Sequence, residues 1–424
     1  MMITQKKIAF CVLLIPSFCL PMDQKAIDAF HKGTEDLAMG RIEQALAHYK
    51  QSFQYYSSID TLYNIGYTYK TAGYLDTAIE IYKQVLSADP NHDNAHLALG
   101  FAYLNKGDFL HGWKQHERYL KKSNKNADVL RMLMSNNDLR GKHIVCTYEG
   151  GIGDTFMFIR YVQLLKERGA YTICALQKAV IPLLSFCPYI DELYAFENKK
   201  FGHADASSTL MSLPAVFNST YETIPQNIPY IFADPILIEH WHQKTKNNTF
   251  NIGLCWQSDV YNDSSRLPIA RRGMPLEKWT VLLQSPDVCA HSLQCFDGIE
   301  QIKALPHTCT LQVYPELDTK HGPFMDSAAL IANMDLIITI DSAIAHLAGG
   351  MGKPVFLLLP YAVDWRWIYG KTDSPWYPTI TIYKQQEPFN WHTVVDCVYN
   401  HIKETYGITI KDTYNNGSNT LKKE

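Results

Sequence analysis

Hydrophobic and polar positions change rhythm once along the chain, about a third of the way in. Before that point small and aromatic residues recur with a long period. Gly33, Gly66 and Gly100 lie 33 and 34 residues apart; Gly40, Gly73 and Gly107 follow each by seven, then Ala45, Ala78 and Gly112, then Tyr49, Tyr82 and His116. A period of that length marks stacked two-helix units, and about three of them are the minimum for a stable stack. In the middle unit, Ile59 to Pro90, Gly66 and Ala78 let the two helices cross closely. Tyr69 and Tyr82 fill the space around the crossing, and Pro90 stops the second helix.

From about Gly141 short β-branched runs alternate with helical ones, which predicts βαβ units and parallel sheets. HIVCTYE, YTICALQ and ELYAF read as strands, with DTFMFIRYVQLLKERGA and AVIPLLSF as helices between them. A Pro-rich passage from Ser212 to Pro235 reads as a covering loop or the exit from this first half. FNIGLCWQ, AHSLQCF, CTLQVY, DLIITI, PVFLLLP and TITIYKQ are strands of a second series, with PLEKWTVLL, SAALIANM and WHTVVDCVYNHIKETYG as helices. The predicted organisation is an apolar leader-like segment over 1–21, helical repeats over 23–125, α/β halves over 140–235 and 245–410, and a disordered polar tail over 411–424. Two Rossmann-like halves put a cleft between their strand carboxyl ends, where ligands of such sheets bind. The 33–34-residue units resemble tetratricopeptide (TPR) repeats, which bind peptides or other proteins in many contexts.

Composition narrows the function classes. Of 424 residues 46% are apolar and 19% charged, a globular balance, and the net charge of −3 lacks the basic footprint of a nucleic-acid binder. Ten cysteines are scattered without a C-x-x-C pair, which argues against a zinc site or a thioredoxin-like motif. Lys6 and Lys7 before the apolar run Ile8–Leu20 look like the start of a signal peptide. That run is too short to span a bilayer, contains Pro16 and lacks a small-x-small cleavage site before Pro21.

Three loops carry candidate chemistry. EGGIGDTFMFIRY, from Glu149 to Tyr161, lies between a strand and a helix, yet lacks the lysine of a Walker A loop and the third glycine of a dinucleotide fingerprint. Asp154 there is either the helix N-cap or a general base toward an acceptor hydroxyl. Three glycines ahead of it, Gly151 and Gly153 among them, suggest that something approaches the backbone closely. DSAIAHLAGG follows DLIITI: Asp341 and Ser342 precede a small-residue helix whose free N–H groups make an anion site. His346 lies one turn on and either reaches a phosphate oxygen or packs in the core. Arg266, Arg271 and Arg272, in a polar loop after FNIGLCWQ, suit a diphosphate by charge-assisted bonds or are solvated surface charge. The aromatics around Tyr361-Ala-Val-Asp-Trp-Arg-Trp367 either stack on a base or sugar or pack in the core.

Taken together, EGGIGDTFMFIRYVQLL, LMSLP, GLCWQ…RRGMPLEKW, DSAALIANMDLIITIDSAIAHLAGGMGKPVFLLLP, DWRW and DSPWYP resemble bacterial TPR proteins with a glycosyltransferase domain. That domain is similar to the ADP-heptose:lipopolysaccharide heptosyltransferases and, more distantly, to TPR-linked O-GlcNAc transferases. The resemblance spans about Met22 to Gly407. It implies a GT-B fold, a nucleotide-sugar donor held by the second half, and inverting transfer without a metal or other cofactor. Asp154 falls on the family's proposed base, Asp341, Ser342 and His346 on its donor-diphosphate motif, and Trp256 and Arg272 on a donor-contacting loop. Ser342 stands where threonine is usual, Gly273 where serine is, and Lys371 where arginine is frequent. The implied partners are a nucleotide sugar and a protein or glycan acceptor recruited by the repeats. Because nucleotide sugars are made in the cytosol, a cytoplasmic enzyme is expected, with an exported or membrane-anchored form as the alternative. The rival expectation is a TPR adaptor with a catalytically silent transferase-like domain.

Overall fold

The computed structural model describes residues 23–120, 127–135, 138–198, 202–259 and 266–411. The leader-like segment over 1–21, part of the polar loop after Asp259 and the tail beyond residue 411 lie outside the described residues. Six helices form three antiparallel pairs: α1 (Gln24–Ala38) with α2 (Ile42–Tyr55), α3 (Ile59–Thr71) with α4 (Leu75–Ala88), and α5 (Asp93–Lys106) with α6 (Phe109–Leu120). The periodic small residues sit at the crossings. A Cβ added to Gly33 would lie 2.8 Å from the Tyr49 ring, and one on Gly66 would lie 2.9 Å from Tyr82. Each turn between the helices of a pair carries a glycine with positive φ, Gly40, Gly73 and Gly107 in turn, a conformation glycine adopts without steric cost. A further helix, α7 (Ala127–Met134), leads into the sheets.

The first sheet has the order β3 (Glu192–Ala195), β2 (Tyr171–Leu176), β1 (His143–Thr147), β4 (Ala206–Thr209). Every pair in it is parallel. The loop after β1 leads into α8 (Ile152–Phe158) and α9 (Arg160–Glu167), which end at Gly169. Strand β4, Ala-Ser-Ser-Thr, was not anticipated: it has no apolar run and is held by its ladder with β1. The second sheet has the order β10 (Ile380–Lys384), β9 (Val355–Leu359), β8 (Leu336–Ile340), β5 (Phe250–Cys255), β6 (Val288–Ser292), β7 (Leu311–Gln312), again all parallel. Strands β8 and β9 are buried at every residue, as expected of central strands covered on both faces. CTLQVY supplies only the two residues of β7 at the sheet edge. No helix among the described residues is long and apolar enough to cross a membrane.

The repeats are fused to the sheets. One apolar cluster runs from Leu104, Phe109 and Trp113 of the third repeat through Phe158 of the first half to Trp365 and Trp376 of the second. Trp113 meets Trp365 edge-on at 5.5 Å, and Phe101 stacks on Trp365 at 5.6 Å and 11°. Tyr369 reaches back to the second repeat, its hydroxyl donating to Ala72 O at 3.1 Å, and its amide donates to Asn105 O.

A second tie between the halves is Arg160, only 2% exposed. Its guanidinium donates to Met157 O, to Pro225 O in the covering loop, to Trp376 O in the second half and to Tyr230 Oη. The rings of Tyr230 and Tyr377 lie 4.5 and 4.6 Å from it. Among the described residues no carboxylate takes part; carbonyl dipoles and ring faces balance the charge. Arg160→Met is expected to orphan several buried acceptors at about 1 kcal/mol or more each, some 3 kcal/mol in all. Urea unfolding checks this, and a loss below about 1 kcal/mol counts against the clamp.

Candidate active site

Each sheet reverses its strand order once. The chain leaves β1 toward β2 on one side and returns to β4 on the other, and it leaves β5 toward β6 and returns to β8. Crevices at such reversals, beyond the strand carboxyl ends, are where open α/β sheets bind ligands. Here the two reversals face one another. A Cβ on Gly153, at the start of α8, would lie 2.9 Å from His346 Cδ2 in the helix Ala343–Gly350 that follows β8.

The glycines in the first loop make room for the protein itself. Gly150 has φ +76°, and a Cβ there would run into the Asp154 carboxylate. Gly151 is the N-cap, and Asp154 is the third helical residue rather than the cap expected from the sequence. Its Oδ2 accepts the Gly151 amide at 2.9 Å. The close approaches in this loop are those of Asp154 to Gly150 and of His346 to Gly153.

Asp154 Oδ1 accepts from Arg366 of the second half, through Nε at 3.0 Å and through Nη2. Arg366 Nη1 donates to Asp364 Oδ1 at 2.7 Å. The Asp154 and Arg366 side chains are 12% and 16% exposed, so this ion pair bridges the crevice largely out of water. Burial disfavours the charge on Arg366, but Asp154, Asp364 and Asp341 together raise its pKa further. Burial would likewise raise Asp364, yet the Arg366 and Arg266 charges hold it well below the usual carboxylate range. In the sequence the surrounding aromatics mask Arg366 and Asp364.

On the second side, Ser342 is the N-cap of the helix Ala343–Gly350 with extended backbone, but its side chain makes no capping bond. Its Oγ turns instead toward Thr339 Oγ1 at 3.2 Å. Asp341 lies 3.8 Å from Arg272 Nη1. Of the other loop arginines, Arg271 is exposed, while Arg266 bears electrostatically on Tyr67 and Lys70 of the repeats and on Asp364.

Two of the expected donor contacts are buried. His346 is 3% exposed, stacked on Trp367 at 5.1 Å with Nδ1 2.9 Å from Tyr377 Oη. Burial pushes its pKa down to about 3, so it carries no charge for a phosphate at neutral pH. Trp256 is 1% exposed, its indole N–H donating to Gly298 O at 3.0 Å. A ring sealed in this way cannot stack on a nucleobase; it walls the β5 end from beneath.

Two contributions went unread in the sequence. Glu149, beyond β1, accepts from Thr209 Oγ1 at the end of β4 at 2.9 Å. Burial raises its pKa to about 7; the Thr209 bond opposes the shift, and Glu117 and Asp154 add to it. Helix α6 turns polar residues the same way. His116 is pushed down to about 4 by burial, with the Arg366 charge adding to the effect. Glu117 Oε2 accepts from Arg131 at 2.5 Å, while Glu117 Oε1 and His116 Nδ1 are buried without a hydrogen-bond partner. A polar residue two positions past a strand end, as Glu149 is, was the available signal. Among the described residues no three His, Cys, Asp or Glu side chains are grouped to hold a metal ion.

Residues 59–92 match the model of the tetratricopeptide repeat family. Over 316 residues, 69% of the chain, the sequence is 25% identical to Protein FlbA of Caulobacter vibrioides. That match covers 52% of FlbA, so the chain spans about half the length of this curated relative. Among solved structures, the chain is similar to the glycosyl transferase family 9 protein of Veillonella parvula. The identity is 12% over 62% of this chain and 92% of that one, with a TM-score of 0.45. It is also similar to the ADP-heptose LPS heptosyltransferase II of E. coli, at 13% identity over 62% and 99% of the two chains, with a TM-score of 0.43.

Removing one partner of a buried ion pair costs about 3–5 kcal/mol, because the other charge stays behind unpaired. Asp154→Asn and Arg366→Met are each expected to destabilise by that order, and the double variant by at least about 1 kcal/mol less than their sum. A double-mutant cycle in urea checks it; strictly additive losses would mean that the two side chains do not depend on one another.

Proposed function

We propose that the chain is a glycosyltransferase. It moves a sugar from a nucleotide-sugar donor to a hydroxyl of a protein or glycan acceptor, with inversion and without a metal. The second half binds the donor, and the repeats recruit the acceptor or a partner. One observation carries the reading: the order reversals of two separate parallel sheets meet at a single crevice lined by charged side chains from both.

The diphosphate has a place on the second side. The start of the helix Ala343–Gly350 lacks a side-chain cap, so its first-turn N–H groups and positive dipole end suit an anion. Arg272 brings a guanidinium to that end, next to Asp341. Charge-assisted bonds from such donors stabilise the negative charge that develops on a departing nucleoside diphosphate. Inversion follows from one displacement at the sugar C1, with the acceptor entering opposite the leaving group. The donor is made in the cytosol, and that is where the reaction is proposed to run.

The rival reading, a repeat adaptor with a silent transferase-like part, takes its support from the Asp154–Arg366 ion pair. That pair fills part of the crevice with the chain's own charges.

Thermal unfolding with ADP, GDP and UDP separates the two. At a hundred times its Kd a nucleotide stabilises by about 2.7 kcal/mol. One of the three is expected to raise Tm, and Arg272→Ala to weaken its binding by roughly 10- to 100-fold. Release of that nucleotide from the matching nucleotide sugar completes the test. Indifference to all three nucleotides would leave the adaptor.

A further inference from the structure

We propose that Glu149, not Asp154, takes the proton from the acceptor hydroxyl. This rests on the transferase reading above and names the base of that site.

Asp154 is committed elsewhere. Its Oδ2 accepts the Gly151 amide, and its Oδ1 accepts two donors of Arg366. To meet a substrate proton it must first part from Arg366 and leave a largely buried charge unpaired. Glu149 is held differently. It lies two residues past the end of β1, at the order reversal of the first sheet. Thr209, at the end of β4 on the other side of that reversal, orients it through Oε2. Among the described residues Oε1 makes no hydrogen bond and no cation pairs with the carboxyl.

The groups that bear on Glu149 are Thr209 from β4, Asp154 from α8 and Glu117 from α6. Asp154 is neutralised by Arg366, and Glu117 is paired with Arg131. Two buried polar atoms nearby point to a hydroxyl-rich ligand. Glu117 Oε1 has no partner. Neither has Gln177 Nε2, whose side-chain oxygen accepts from Thr155, the neighbour of Asp154 on α8. An acceptor sugar, or a serine or threonine side chain with bound water, offers donors and acceptors of the kind these atoms lack.

The step balances without another reactant. The acceptor oxygen forms a bond to the sugar C1 as the bond from C1 to the diphosphate oxygen breaks. The electron pair of that bond leaves with the nucleoside diphosphate. The hydroxyl proton passes to Glu149 Oε1 and then to water. A general base works best with a pKa near the operating pH, and burial puts that of Glu149 at about 7.

The test uses the full chain with UDP-glucose, GDP-mannose and ADP-heptose as donor probes. Turnover of one by the wild type, counted as nucleotide released, should rise with pH through about 7, where Glu149 ionises. Glu149→Gln is expected to lose that pH limb and roughly 10²- to 10⁴-fold in kcat. Its nucleotide affinity should stay within about threefold of wild type, since the carboxyl lies outside the donor half. Glu149→Asp is expected to recover part of the rate.

Stability gives a readout independent of activity. A raised carboxyl pKa destabilises the fold as pH climbs from the unfolded value toward the folded one. The Tm of the wild type should therefore fall relative to Glu149→Gln between about pH 4.5 and 7. A wild type that turns over none of the three donors overturns the transferase reading and this assignment with it. Turnover by the wild type that survives Glu149→Gln with its pH limb intact, or a Tm difference that does not move with pH, overturns Glu149 alone.

Discussion

The crevice is organised around a guanidinium from one half held by carboxylates of both. Arg366 bonds Asp154 across the gap and Asp364 beside it, and the surrounding architecture is what lets it do so. Gly150 adopts a left-handed turn against which a Cβ would strike the Asp154 carboxylate. Trp365 lies 4.4 Å from the guanidinium and shields it from water. His346 and His116, buried near the same positive charge, are both held neutral. The two helices that begin at the crevice each direct a positive dipole end into it, so carboxylates at Asp154, Asp341 and Asp364 are the charges that such a place favours.

Such a pair is weak evidence for stability, because the desolvation of two charges offsets most of their attraction. What it supplies is register between the halves, and Arg160 supplies more of the same by another means. Arg160 carries its charge into an apolar interior using only carbonyl oxygens, one hydroxyl and aromatic faces. The fork suits that task and an ammonium would not: the planar guanidinium reaches several acceptors in fixed directions and is less strongly hydrated. Two arginines thus join the halves through different kinds of partner.

The fold was legible because its signals are periodic. The 33–34-residue spacing of glycines reports helix crossings that tolerate no side chain, and runs such as LIITI and VFLLL report strands buried on both faces. The strand Ala206–Thr209 was illegible because its stability comes from the ladder with β1 and not from its own side chains. In the crevice, the loops singled out in the sequence do meet, but the burial and pairing of their atoms were not readable from it. Trp256 and His346 lie beyond strand ends, as ligand contacts do, yet both are buried, which no local pattern announces. Arg366 and Asp364 sit among tryptophans, where the apolar pattern hides them. Their partners lie more than 200 positions away or depend on a turn that no local rule encodes.

The third repeat shows how a repeat array becomes part of a crevice instead of an appendage to it. At the crossing where the first two units place Tyr49 and Tyr82, this unit places His116. The tyrosines lie against Gly33 and Gly66 of their own repeats, whereas His116 lies against Trp113 and within the influence of Arg366. An imidazole nitrogen, one carboxylate oxygen and an indole N–H, all buried without partners on one helix, would be a liability in a self-contained repeat. The same atoms are tolerable on a helix whose face is completed by something else. Phe109 and Trp113 fix that helix by apolar contact with Phe158 and Trp376, so the orientation of its polar residues does not depend on finding partners of their own. The array is therefore set rigidly against the carboxyl end of the first sheet. Packing of this helix, and not pairing of its polar atoms, is what brings His116 and Glu117 within the influence of Arg366 and Glu149.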